Sequence, residues 1–279
     1  MNKDEIVHIL NFYFRDFRKL FDKLIDEPES ENVYSLWKEF KQLRAFLRIV
    51  NIESANDSTL KLPNEMKTVY GYLGIVRDLQ WLEHKIKNIN LSANEIKNYP
   101  NQLTEELNNW KLKLHQAIHK NPLPDAKEEL HEHLPKSIHQ TTIENFIQDK
   151  VAKIKLLLEN KEQEDNLILL RKNLRDILYN IFIFNQKLGN GFPVKICSQA
   201  KLKEIEKAAL DLEYYDDLTT AIDLLQPRHY EKLSDTEADF LKSVSKKIRK
   251  EKKQFKPLLM HDLNSLNNLY LPSHAYSAK

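Results

Sequence analysis

Only 4 of the 279 residues are glycine, where average usage predicts roughly 20 in a chain of this length. Glycine supplies the positive-φ turns, barrel corners and close backbone approaches that other residues disfavour. A chain this poor in it has little material for tight hairpins or phosphate-cradling loops, and long helices with polar connections are the economical alternative. The 41% hydrophobic and 30% charged residues fit a folded, soluble chain rather than a disordered or fibrous one. No stretch approaches the roughly 18 uncharged apolar residues of a membrane span. The apolar run Ile6-Val7-His8-Ile9-Leu10 is too short for a secretory core, and a cytoplasmic location is expected. The single cysteine, Cys197, excludes an internal disulfide and a four-thiolate metal site; it reads as a small structural hydrophobe in a reducing compartment. Lys and Arg number 43 against 41 Asp and Glu, so any polyanion site must be a local cluster.

Apolar spacing of three and four residues appears at once. Ile6, Ile9, Leu10, Phe14, Phe17, Leu20, Phe21 and Leu24, with charges between them, predict an amphipathic helix of about 20 residues. The acidic segment Asp26 to Glu31 ends it, and a second helix runs from about Asn32 through Leu36, Phe40, Leu43 and Leu47 to Val50. Residues 51–59 read as a loop. Residues 60–89 read as one helix, because Val69, Leu73, Val76, Leu79 and Leu82 keep their spacing past Gly71 and Gly74. Pro100 opens or bends a fourth, bearing Leu103, Leu107, Trp110, Leu114 and Ile118, and Pro122-Leu123-Pro124 closes the set. Residues 121–140, with three prolines and several histidines, form the expected boundary. Thr142 is then expected to cap a helix with Ile143, Phe146, Ile147, Val151, Ile154, Leu157 and Leu158. Further helices are expected over about 165–188, 199–225 and 235–255, with a loop from Gly189 to Pro193 and an irregular tail beyond Pro257.

The two halves resemble each other. Ile9, Leu10, Phe14, Phe17, Leu20 and Phe21 match Phe146, Ile147, Val151, Ile154, Leu157 and Leu158 at one offset of 137 residues. Leu36, Lys38, Phe40, Lys41, Leu43 and Leu47 match Leu170, Lys172, Leu174, Arg175, Ile177 and Ile181 at offset 134, and Leu73, Asp78 and Leu79 match Leu212, Asp217 and Leu218 at 139. The architecture that follows is all-α: a tandem duplication of about 139 residues giving two four-helix units packed as one body, residues 1–139 and 140–279.

The segment Val33-Tyr34-Ser35-Leu36-Trp37-Lys38-Glu39-Phe40-Lys41-Gln42-Leu43-Arg44-Ala45-Phe46-Leu47, followed by Leu73-Gly74-Ile75-Val76-Arg77-Asp78-Leu79, resembles the CHAD family, the conserved histidine α-helical domains. Members carry a Val-His segment with arginines at helical spacing, then Leu-Gly-x-x-Arg-Asp-Leu on the next helix, and weaker copies of both in a second half. The resemblance covers most of the chain, with Leu73 to Leu79 as its specific part. It implies two four-helix bundles related by approximate two-fold symmetry, whose second helices line a shared surface that binds inorganic polyphosphate, generally without catalysis. Carried over by position, the phosphate ligands are Lys41, Arg44 and Arg48, and in the second half Arg171, Lys172 and Arg175. The family histidine falls on Tyr34 and on Ile168, and expected arginines fall on Trp37, Gln42 and Leu178. The second-half signature, Leu212-Glu213-Tyr214-Tyr215-Asp216-Asp217-Leu218, has Glu213 for glycine and Asp216 for arginine, acids that would repel phosphate.

Lys38, Lys41, Arg44 and Arg48 form one helical stripe, and Arg171, Lys172 and Arg175 another. Such a stripe suits a chain that repeats negative charge and offers only oxygen acceptors, and it equally suits a solvated helix face. Arg77 is a candidate phosphate ligand, while Asp78 is expected to pair with Arg44 or another base of the second helix. Between positions 242 and 256 stand eight basic residues, Lys246, Arg249, Lys250 and Lys253 among them, against the single acid Glu251. That block reads as a solvated face or a polyanion contact. Only Phe240 and Phe255 interleave with it, which makes nucleic acid an unlikely partner. His115 and His119, near His131, His133 and His139, have a spacing that can share a zinc or nickel ion but lack the glutamate of the zinc-protease pattern. A wet histidine group is the plainer reading. Trp37, Trp81 and Trp110 read as core or groove residues.

The function expected is a non-catalytic module, without cofactor or resident metal, that binds inorganic polyphosphate or another phosphate-rich polyanion, with association to polyphosphate granules as a corollary. The alternative is a helical protein-interaction scaffold that kept the fold and lost the ligand. A histidine-metal enzyme ranks third.

Overall fold

Two reciprocal hydrogen bonds start the chain: Asn2 Oδ1 accepts from the Glu5 N–H at 2.9 Å, and Glu5 Oε2 accepts from the Asn2 N–H at 2.8 Å. They satisfy donors that the first turn of a helix leaves unpaired. Helix α1 (Lys3–Asp26) follows, burying Ile6, Ile9, Leu10, Tyr13, Phe14, Phe17, Phe21 and Leu24 as one stripe. The computed structural model describes residues 1–26, 29–53, 60–89, 91, 100–188, 198–230 and 233–266. Among these the fold is all-helical: α2 (Ser30–Glu53), α3 (Asn64–Asn88), α4 (Asn101–His119), α5 (Leu123–Glu132), α6 (Gln140–Glu159), α7 (Glu164–Ile183), α8 (Gln199–Leu224) and α9 (Asp235–Ser265) complete it. A π-helical turn, Phe184–Leu188, extends α7.

Each of α1 to α4 packs on the next, and so does each of α6 to α9. The two sets meet where α2 lies against α7 and α3 against α8, while α5 folds back onto α1. One continuous cluster of buried apolar side chains draws on all nine helices, so both halves of the chain share it. A smaller cluster, including Leu82, Leu218, Phe240 and Val244, closes the end where α3, α8 and α9 meet. Aromatic stacking marks the α1–α2 seam, with the Phe17 and Phe40 centroids 4.6 Å apart. Gln42, on that seam, is buried and accepts from the Tyr13 hydroxyl at 3.4 Å. Across the α2–α7 contact, the Asn180 amide donates to the Ala45 carbonyl at 3.3 Å. Lys187 pins the π-turn to α1 and α2: its ammonium lies 3.6 Å from the Phe12 ring centroid, 3.5 Å from Asp16 and 3.7 Å from Glu39.

Several expectations need correction. The boundary at 121–140 contains α5, because Pro124 sits in the first turn, where its missing N–H costs nothing, and Leu123, Ala126 and Leu130 form a buried stripe. Thr142 is not a cap; α6 begins at Gln140 and the Thr142 hydroxyl donates to Glu53. Helix α9 continues through Pro257 to Ser265. Proline removes one hydrogen bond from the helix there, but Leu259 and Leu263 beyond it are buried, and Lys207 of α8 pairs with Asp262. Residues 51–53 belong to α2, and the loops expected at 54–59 and at Gly189 to Pro193, together with Cys197, lie outside the described residues.

Candidate functional site

Arg77 of α3 stands at the crossing of α2, α3, α7 and α8. Its guanidinium meets Asp217 of α8 through two parallel hydrogen bonds, Nη1 to Oδ1 at 2.6 Å and Nη2 to Oδ2 at 2.7 Å. Nη1 also donates to Asp78 at 2.9 Å, and Nη2 lies 3.7 Å from Glu213 Oε1. Asp78 therefore pairs with its own neighbour, not with Arg44, because Arg77 reaches past it toward α8. On α7, Arg175 pairs with Glu213, and Arg171 with Asp216 at 2.6 Å. Their spacing of one helical turn matches that of the α8 acids, so the two faces mesh. Lys41 of α2 joins the same group, with Nζ 3.2 Å from the Trp37 ring centroid and Arg77 Cζ 4.6 Å from that ring. Of the two stripes, Lys41 of α2 and Arg171 and Arg175 of α7 thus converge, and with Arg77 these four cations face four carboxylates (Asp78, Glu213, Asp216, Asp217).

Burial dominates the titration of this group. It pulls the Lys41 ammonium down to about 7, against the attraction of Glu213, with Arg171, Arg77 and Arg175 adding repulsion. Burial raises Asp217 to about 6 despite its two bonds to Arg77, and it raises Asp78 as well. Glu213 goes the other way: burial opposes its charge, but Arg175, Lys41, Arg77 and Arg171 together outweigh it. The hydrogen bonds that Arg77 donates to Asp217 and Asp78, with the charge of those carboxylates, likewise outweigh burial and hold its guanidinium charged.

The remaining predicted cations stand elsewhere. Arg48 pairs with Asp176, which Lys150 also reaches at 2.8 Å. Lys38 and Lys172 are exposed on their helices. Arg44, over the Tyr70 ring at 4.8 Å, opens into a cavity of about 350 Å³ that Arg48, Lys61, Lys67 and Asn51 also line, with no carboxylate among its described lining residues. The Asn51 amide fixes its wall by donating to the Leu60 carbonyl at 2.7 Å. On α9, Lys246, Arg249, Lys250 and Lys253 are all exposed, and none pairs with a carboxylate among the described residues. Arg249 and Lys253 also border a cavity of about 530 Å³ with Lys252 and Lys256. There Glu164 holds Lys252 at 2.9 Å and accepts from the Tyr215 hydroxyl at 3.0 Å.

The model of the CHAD domain matches residues 8–226. The chain belongs to the CHAD family. Its fold is similar to the crystal structure of the CHAD domain from the plant Ricinus communis, with a TM-score of 0.79 at 14% identity, over 98% of this chain and 94% of that chain. No curated protein sequence matches it.

Within the CHAD framework the departures from the family pattern acquire places. Trp37 covers Lys41, Gln42 and Leu178 are buried in the core, and Glu213 and Asp216 take Arg175 and Arg171 as partners. Sequence reading flagged those two acids as hostile to phosphate but did not see what they hold; their one-turn match to Arg171 and Arg175 was the available signal. It also passed over Lys61, Lys67 and Lys150, which come from segments with no charge run. His115 and His119 do meet, Nε2 to Nε2 at 3.1 Å. No group of three or more His, Cys, Asp or Glu residues suited to a metal occurs among the described residues. No helix among them is long and apolar enough to cross a membrane.

Proposed function

We propose that this CHAD chain is a non-catalytic module that binds a phosphate-rich polyanion, inorganic polyphosphate first among them, on cationic surfaces its own acids leave open. The observation that carries this reading is the face of α9, where Lys246, Arg249, Lys250 and Lys253 are exposed and unpaired among the described residues. Their spacing repeats positive charge along one side of α9, which suits a flexible chain of phosphates. The cavity of Arg44, Arg48, Lys61 and Lys67 offers a second contact, with no carboxylate among the described residues of its lining. Arg77, Arg171 and Arg175 take a structural part instead, since their charge is matched within the protein, and Lys41 beside them is covered by Trp37 and loses its charge readily.

The fold is read as a tandem duplication of about 139 residues, two four-helix bundles related by approximate symmetry. The same neighbour order in α1–α4 and α6–α9 supports it. A cytoplasmic location and association with polyphosphate granules follow from this reading.

The second reading, a helical interaction scaffold without the ligand, draws its support from the matched charges at the central crossing. Titration of end-labelled long-chain polyphosphate at about 50 and 200 mM salt separates the two. Polyanion binding should weaken steeply with salt as condensed counterions are released, by analogy with duplex nucleic acid. Absence of binding at the lower salt contradicts the first reading and leaves the scaffold.

A further inference from the structure

A cavity of about 420 Å³ opens between α2, α3 and α8, where Tyr34 stands at the family histidine's position, and the polyanion reading does not use it. Tyr34, Trp81 and Tyr214 form its walls, and Glu213, Asp217 and Arg77 its polar floor. Both oxygens of Asp217 are taken by Arg77. Glu213 differs: Arg175 takes Oε2, while Oε1 is buried without a hydrogen-bond donor among the described residues, Arg77 Nη2 standing off at 3.7 Å. The side chain is 7% exposed. A buried carboxylate oxygen without a donor is an unmet demand.

We propose that this cavity binds a protonated alkylamine, its ammonium donating to Glu213 Oε1 and its alkyl chain lying among Tyr34, Trp81 and Tyr214. An anion would enter against Glu213 and Asp217, and the guanidiniums that could receive it are already engaged. An uncharged apolar molecule would fill the walls and leave Oε1 unmet. The ring faces carry negative potential and attract a cation. They already do so on this protein: Lys85 Nζ lies 5.9 Å from the Trp81 ring centroid and 5.4 Å from that of Tyr214. The charge balance leaves room for one more cation. Burial holds Lys41 near 7, so at pH 8 the four carboxylates of the crossing face three guanidiniums and a mostly neutral amine. This inference does not depend on polyphosphate binding.

Calorimetric titration at pH 8 and fixed ionic strength tests it, with n-hexylammonium as the probe and hexanol and hexanoate as its uncharged and anionic counterparts. Saturable binding of the ammonium alone is expected. Glu213→Gln should weaken it by about tenfold through loss of the charge-assisted bond. Tyr34→Leu, at an exposed position with no hydrogen bond among the described residues, should weaken it by about threefold through loss of one ring. No saturable binding of n-hexylammonium, or hexanol binding as tightly, overturns the proposal. So does an unchanged affinity in a folded Glu213→Gln; if that variant does not fold, an unchanged affinity in Tyr34→Leu overturns it. Nα-acetyl-lysine methylamide identifies the source: binding at least as tight as that of the free amine assigns the cavity to a partner's lysine, and weaker binding assigns it to a small amine.

Discussion

The crossing of α2, α3, α7 and α8 and the outer face of α9 are built from the same residue types, yet they do opposite things with them. At the crossing every guanidinium is partly buried and meets a carboxylate, and Arg77, with a side chain 10% exposed, meets Asp217 through a fork. On α9, Lys246, Arg249, Lys250 and Lys253 stand in water without a carboxylate partner among the described residues. Charge buried in protein is tolerated only when it is paired, so on the proposed reading the first set serves the fold. Charge in water costs little to keep, so the second set remains available to a ligand. A basic stripe read from sequence therefore says where cations lie; burial and the opposing helix decide whether they can bind.

The largest expected effect lies at the crossing. Arg77→Leu leaves Asp217 buried without its partner and should cost about 3–5 kcal/mol in urea unfolding. Arg77→Leu with Asp217→Leu should recover much of that, since replacing a buried pair together removes the unpaired charge. A small cost for the single variant would break the contrast. On α9 the effect moves to the ligand: Lys246→Glu with Lys250→Glu and Lys253→Glu should lower polyphosphate affinity by about thirtyfold at low salt, while stability changes by no more than about 0.5 kcal/mol.

Lys41 sharpens the contrast through pH. Its ammonium titrates at about 7 in the fold against 10.5 in the unfolded chain, so between those values the unfolded state holds more protons. Stability from this group therefore rises with pH from about 7 upward and is lowest below 7. Lys41→Met should be more stable than the natural protein at pH 6, and the gap should narrow by about 1–3 kcal/mol at pH 9 in paired unfolding curves. A gap independent of pH would mean that Lys41 is solvated. The smallest effect is expected at the edge cavity, where Arg44→Gln with Lys67→Gln should weaken polyphosphate binding about two- to fivefold.

Much of the fold was legible because helical periodicity is a local property: Ile6 to Leu24 and Val69 to Leu82 announce their buried faces without reference to any other element. Helix α5 was hidden because prolines that stop one helix also start another, and the extension of α9 past Pro257 was hidden because it rests on Leu259 and Leu263 packing against distant residues. The site was legible only as types and spacings. Lys41 and Arg175 were placed on converging stripes, but that Glu213 would come from α8 to hold Arg175 is a tertiary fact. Asp78, expected to pair with Arg44 or another base of the second helix, feels Lys41 of that helix but takes its hydrogen bond from Arg77, because the sequence does not say how far Arg77 extends.

The most direct test compares polyphosphate binding by the natural protein, by Lys41→Met with Arg171→Gln at the crossing, and by the triple glutamate variant of α9, each at low and moderate salt. The account predicts salt-sensitive binding that survives the crossing variant within about twofold and is lost in the α9 variant. Binding lost at the crossing and retained on α9 would contradict it.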